Sequence, residues 1–153
     1  MAGDLTVQEF TTPQGGRIFQ LPLLAFPGLG GYAHLVVVQD ARLGELRVLV
    51  DAGSGFGQSN EHLEAGRAAA AQRLGQPFEW RDLTHILITH GHIDHFGGLN
   101  YVLPRCSARL GVHELDRRIL THHEERVAVV ARRLGDYLIE AGVSPATQLR
   151  LLD

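Results

Sequence analysis

The 153-residue chain contains one cysteine, Cys106, which excludes an internal disulfide and leaves the redox compartment open. It has no apolar run near the roughly 20 residues needed to cross a bilayer. Its opening, "MAGDLTVQEFTTPQ", has neither the basic n-region nor the apolar h-region of a secretory signal. These absences point to a soluble, cytoplasmic protein with no membrane partner. There is no excess of positive charge either: the formal net charge is −3 and the pI is near 6.3, which argues against nucleic acid as a partner. No internal repeat, low-complexity tract or linker breaks the chain. What is present is enough apolar sequence for one ordinary domain, 44% hydrophobic against 20% charged. Two residue types stand out, 18 glycines and nine histidines.

Strands are expected over residues 5–10 and 17–24, broken by "TPQGG". Pro and Gly content makes "FPGLGGY", Phe26 to Tyr32, a loop. "HLVVVQD" and "LRVLVDAG" are β-branched runs joined as a hairpin. Ser59 or Asn60 caps a helix that Gly75 stops. "THILIT" reads as a short buried strand, "LNYVLP" as a helical piece ended by Pro104, and "ARLGVH" as a further strand. Two helices follow. The second sets Val127, Val130, Leu134, Leu138 and Ile139 at core-facing spacing. Strands first and then alternating helix and strand predict a mixed α/β layered domain. Ser144 and Pro145 open a new helix, and the chain ends about two turns later on Leu149, Leu151 and Leu152. The expectation is therefore the front part of a longer protein.

The densest chemistry is "ILITHGHIDHFGGLN", Ile86 to Asn100. His90 and His92 are two apart, so in extended backbone they point to one face and can share an ion. Asp94 and His95 follow where the chain turns and can reach a second ion. Imidazole suits zinc, iron or copper, and the carboxylate keeps zinc, iron and manganese all open. Two ions about 3.5–4 Å apart can hold a bridging water and lower its pKa. Gly97 and Gly98 would let the backbone turn tightly, and Thr89 could support a ligand through a hydrogen bond. Loop histidines with satisfied hydrogen bonds are the bland alternative; three of them with an aspartate in six positions disfavour it.

"THGHIDHFGG", Thr89 to Gly98, resembles the T-H-x-H-x-D-H-x-G-G signature of the metallo-β-lactamase superfamily. The likeness extends back over "LRVLVDAGSG" and forward over "LGVHELD". It implies the N-terminal half of an αββα sandwich over residues 1–153. It also implies two zinc ions in the complete site, with iron or manganese possible. His90 and His92 would serve the first metal, and Asp94 and His95 the second, with Asp94 the catalytic residue. Asp51 would orient a ligand histidine; the alternative is a turn residue starting "DAGSG". Where the family often has Thr after this Asp, Ala52 stands here. No "PGHT"-like turn follows Gly98, so the family's later ligands are missing from this stretch, which alone is expected to be inactive and to self-associate through an exposed apolar face.

The implied activity is hydrolysis of an ester, thioester or lactone-type carbonyl of a small molecule by a metal-bound hydroxide. A mononuclear iron sulfur-oxygenase on the same scaffold and a non-catalytic half-fold interaction module are the alternatives. Phe26 or Tyr32 could contact substrate. His85, His113, His122 and His123 read as structural or solvated residues, although the last two could substitute as ligands. His34 and His62 take no role, and burial is the default for Cys106.

Overall fold

The computed structural model describes residues 5–144, and they form two compact units divided after Glu114. In the first unit six strands make one sheet in the order β1 to β6: Gln8–Thr11, Arg17–Phe26, Leu29–Asp40, Gly44–Val50, His85–Ile88 and Arg109–Val112. Strands β1 to β4 are antiparallel neighbours joined by short turns. β5 and β6 add in parallel, so β4 connects to β5 through a helical crossover. That crossover is α1, Ser59–Leu74.

One sheet face is closed. Phe19, Leu35, Leu49 and Ile86 lie in register across β2 to β5, and they and Leu21 are fully or almost fully buried. Helix α1 rests on this face through Leu63, Gly66 and Ala70. A Cβ on Gly66 would stand 3.0 Å from Leu21 Cβ, so glycine sets how closely helix meets sheet. On the opposite face, Ile18, Val36, Val48 and Val50 are half-buried and Leu87 is exposed.

Two expectations change in this unit. The segment Phe26 to Tyr32 is not a loop: β2 runs to Phe26, β3 starts at Leu29, and only Pro27 and Gly28 turn. Gly28 takes the positive φ of 79° that a Pro-Gly turn requires. Gly30 and Gly31 pair with Leu24 and Leu23, so ladder pairing outweighs their loop preference. Helix α1 starts at Ser59 after Gln58, and neither Ser59 nor Asn60 caps it. The Ser59 hydroxyl is engaged instead by the amide of Ser54. Gly75 ends the helix in left-handed backbone, as its position predicts.

The second unit carries helix α5, His123–Glu140, preceded by α4, Glu114–Thr121, which begins at the division between the units. Val127, Val130, Leu134 and Ile139 are exposed and only Leu138 is buried, so the core-facing stripe expected there is open. Ser144 lies outside any helix, and the helix expected from Pro145 onward falls outside the described residues.

Candidate metal centre

The parallel strands β4 and β5 end side by side, and the candidate residues leave their carboxyl ends, where open α/β sheets place ligand sites. Asp51 follows β4 directly. Its amide donates to Leu87 O at 2.9 Å, extending the ladder by one bond. The backbone then switches to left-handed geometry, with φ 62°, the one non-glycine residue with positive φ among those described. Aspartate tolerates that region better than most side chains. The switch turns a carboxylate that is only 5% exposed toward the end of β5.

There the carboxylate gathers three donors. Thr89 donates its backbone N–H to Asp51 Oδ1 at 2.9 Å, and its hydroxyl reaches Oδ1 and Oδ2 at 3.1 and 2.9 Å. His95 Nδ1 lies 2.8 Å from Oδ2. An ionised carboxylate only accepts, so the proton between the two belongs on His95 Nδ1, and in the neutral ring Nε2 then keeps its lone pair. That Nε2 stands 3.5 Å from Asp94 Oδ2. The Thr89 oxygen, its own proton directed at Asp51, is 3.0 Å from His90 Nδ1, which fixes His90 in the same sense. His90 Nε2 then meets His92 Nδ1 at 3.0 Å. The His90 ring centre lies 4.5 Å from that of His92 and 4.0 Å from that of His95.

His92 directly precedes α2, Ile93–Phe96, and Asp94 and His95 lie on that single turn. The chain continues into α3, Leu99–Val102, whose Leu99 and Val102 are buried. Between the two, Gly97 and Gly98 have ordinary right-handed dihedrals. The reason expected for these glycines, a tight turn, is therefore replaced by another. A Cβ on Gly98 would overlap Ala52 O, and one on Gly97 would overlap Ser54 O. The two segments are laced by Ala52 N–H to His95 O at 2.7 Å and Gly98 N–H to Gly53 O at 2.9 Å.

The six site residues expected from the sequence thus come together in pairs. Ligand nitrogens at about 2.0–2.1 Å on a tetrahedral zinc are about 3.3 Å apart, close to the spacing of His90 Nε2 and His92 Nδ1. Asp94 and His95 form the second pair of matching reach. Donor type and the Asp51 contact fit a metal. The fit is by pairs: among the described residues no group of three or more His, Cys, Asp or Glu side chains is arranged to hold one ion.

Other residues gain roles that spacing did not reveal. His62 Nδ1 accepts the Leu24 N–H at 3.1 Å and fastens α1 to β2. His34 is half-buried, and burial lowers its pKa against the opposing pull of the Asp51 carboxylate. His122 directly precedes α5 and has its Nδ1 2.8 Å from Thr121 Oγ1. Tyr32 is exposed in β3, and the Phe26 ring lies 5.8 Å from that of Phe56.

Among solved structures, the chain is similar to a metallo-β-lactamase variant from Cronobacter sakazakii, at 20% identity and a TM-score of 0.46, over 74% of this chain and 37% of that one. It is also similar to AidC, a dizinc quorum-quenching lactonase, at 17% identity and a TM-score of 0.47, over 76% and 48%. A flavo di-iron protein variant from Thermotoga maritima shares the fold at 14% identity and a TM-score of 0.50, over 77% and 30%. The chain thus spans less than half the length of each of these structures. No curated protein matches it. The model of the metallo-beta-lactamase superfamily matches residues 28–150, which takes in β3, β4, α1 and the whole histidine motif, and the chain belongs to that superfamily.

Proposed function

We propose that the protein is a metal-dependent hydrolase acting on an ester, thioester or lactone-type carbonyl of a small molecule. One observation carries this reading: two donor pairs, with members 3.0 and 3.5 Å apart, adjoin a single buried carboxylate that touches His95 directly and reaches His90 through the Thr89 hydroxyl. His90 and His92 would hold one zinc ion, and Asp94 and His95 a second. When bound, such ions lower the pKa of a water and polarise a carbonyl. The chain's own residues do the rest. Asp51 keeps the His95 proton on Nδ1 so that Nε2 faces outward. Thr89 does the same for His90 by accepting at its hydroxyl. Asp94 is the catalytic carboxylate of this reading, placed beside His95 to accept a proton from a nucleophilic water. Membership of a superfamily that includes lactamases and a lactonase supports hydrolysis over other chemistry.

The test is to assay zinc-loaded chain, alone and within a longer protein that supplies further metal ligands, against an aryl ester, a thioester and a lactone. The chain alone is expected to be inactive, and the longer protein to show hydrolysis that a chelator abolishes and that His92→Ala loses. Bound iron with oxygen uptake and no hydrolysis would favour the iron sulfur-oxygenase instead.

A further inference from the structure

The loop that carries Asp51 has no strand or helix of its own over residues 51–55, yet both of its sides are fastened. Its front meets the histidine motif through Ala52 N–H to His95 O and Gly98 N–H to Gly53 O. Its back rests on two serine hydroxyls that stand outside the two donor pairs. Ser54 is 7% exposed and Ser59 is fully buried. The Ser54 hydroxyl donates to Ala25 O near the end of β2 and accepts the Phe56 N–H at 3.1 Å. The Ser54 N–H donates to the Ser59 hydroxyl at 3.2 Å, and the Ser59 N–H donates to Phe56 O at 3.0 Å. A Cβ on Gly53 would stand 2.5 Å from Ser59 Oγ, so helix and loop are in direct contact.

We propose that Ser54 and Ser59 are positioning residues for the metal-binding turn. They act through the loop on Asp51 and on the backbone of His95, and touch no ion themselves. Gly97, Gly98 and Gly55 admit no Cβ at the junction, so there is little slack to absorb a shift of the loop. Removing either hydroxyl leaves a backbone N–H without its partner, that of Phe56 or that of Ser54. An unpaired N–H in such surroundings seeks water or moves the chain. Movement of residues 52–54 carries the His95 carbonyl with it, and His95 Nε2 is a donor of the proposed second pair. A serine at the first turn of a helix ordinarily serves as a cap; here that hydroxyl is directed at the loop instead.

The inference rests on the metal reading, and its test separates the two. The chain, Ser54→Ala, Ser59→Ala and His92→Ala are titrated with cobalt(II) alone, followed by visible absorption well below each melting temperature. Both serine variants are expected to bind cobalt about tenfold more weakly, the low end for residues that support metal ligands, with an altered band shape and an unchanged far-ultraviolet circular dichroism spectrum. Serine variants that melt earlier but keep wild-type affinity and band shape would overturn the inference and leave the metal reading standing. A wild-type chain that binds no more cobalt than His92→Ala would overturn both. If one serine variant does not fold, the other decides.

Discussion

Asp51 concentrates the site's physical chemistry in one residue. It holds left-handed backbone and accepts from Thr89 and His95 while almost fully buried. Asp51→Ala leaves these donors without their acceptor, and a loss of about 3 kcal/mol in unfolding free energy is expected from urea melts. Asp51→Asn retains an oxygen acceptor and a side chain suited to the left-handed region, so it should cost less. Equal losses would mean that the backbone turn alone matters. Gly98 makes a second prediction. Its dihedrals suit any residue, but a Cβ would run into Ala52 O. Gly98→Ala should therefore destabilise by about 3 kcal/mol, the upper end for overpacking, because the obstacle is backbone. A neutral outcome would show that the two loops can part. The spacing of donors was legible at this scale: His90 with His92 and Asp94 with His95 follow from sequence alone. The reason for the Gly-Gly pair was not, because it lies in Ala52 and Ser54, more than 40 positions earlier.

Helix α1 joins the parts that sequence separates. Its Glu64 carboxylate accepts from Arg67 at 2.8 Å, from Trp80 Nε1 at 2.6 Å and from the Tyr101 hydroxyl at 3.2 Å. It thereby ties α1 to the turn Trp80–Asp82 and to α3. Burial pushes the Glu64 carboxyl up, but these hydrogen bonds and the Arg67 charge outweigh it and hold its pKa below the ordinary 4.5. A carboxyl with a lowered folded-state pKa stabilises fully above the unfolded value, and that contribution is lost as pH falls through the lowered one. Glu64→Gln should accordingly flatten the acid limb of a plot of melting temperature against pH, below about pH 4.5. An unchanged acid limb would place the acid sensitivity elsewhere. The elements were largely readable: the hairpin of β3 and β4, the helix ending at Gly75 and the short strand β5 follow from periodicity and breaker residues. Gly30 and Gly31 misled because composition carries no information on which strand a segment will meet. Ser59 misled because its hydroxyl answers a loop rather than its own helix.

For the whole molecule, the two faces of the sheet differ. α1 covers one, while Ile18, Val36, Val48 and Val50 on the other are only half-buried and Leu87 is 45% exposed. Near-continuous β-branched runs such as "HLVVVQD" belong to strands covered on both sides. Contiguous exposed apolar surface favours association. Sedimentation velocity is expected to show this 153-residue chain self-associating as concentration rises, and Val36→Lys or Val48→Lys should shift it toward monomer. A monomer at every concentration would contradict this. Membership of the superfamily was legible in the ten residues Thr89 to Gly98, because ligand spacing there is local. The exposure of Val127, Val130 and Leu134 was not, since amphipathic spacing marks an apolar stripe without saying what covers it.

Zinc uptake by the chain tests these ligands most directly. Equilibrium dialysis against zinc followed by metal analysis should show zinc retained by the wild type. His90→Ala and His92→Ala should lose the share held by the first pair, and Asp94→Ala the share held by the second. Zinc retention unchanged in all three variants would contradict the assignment of these residues as ligands.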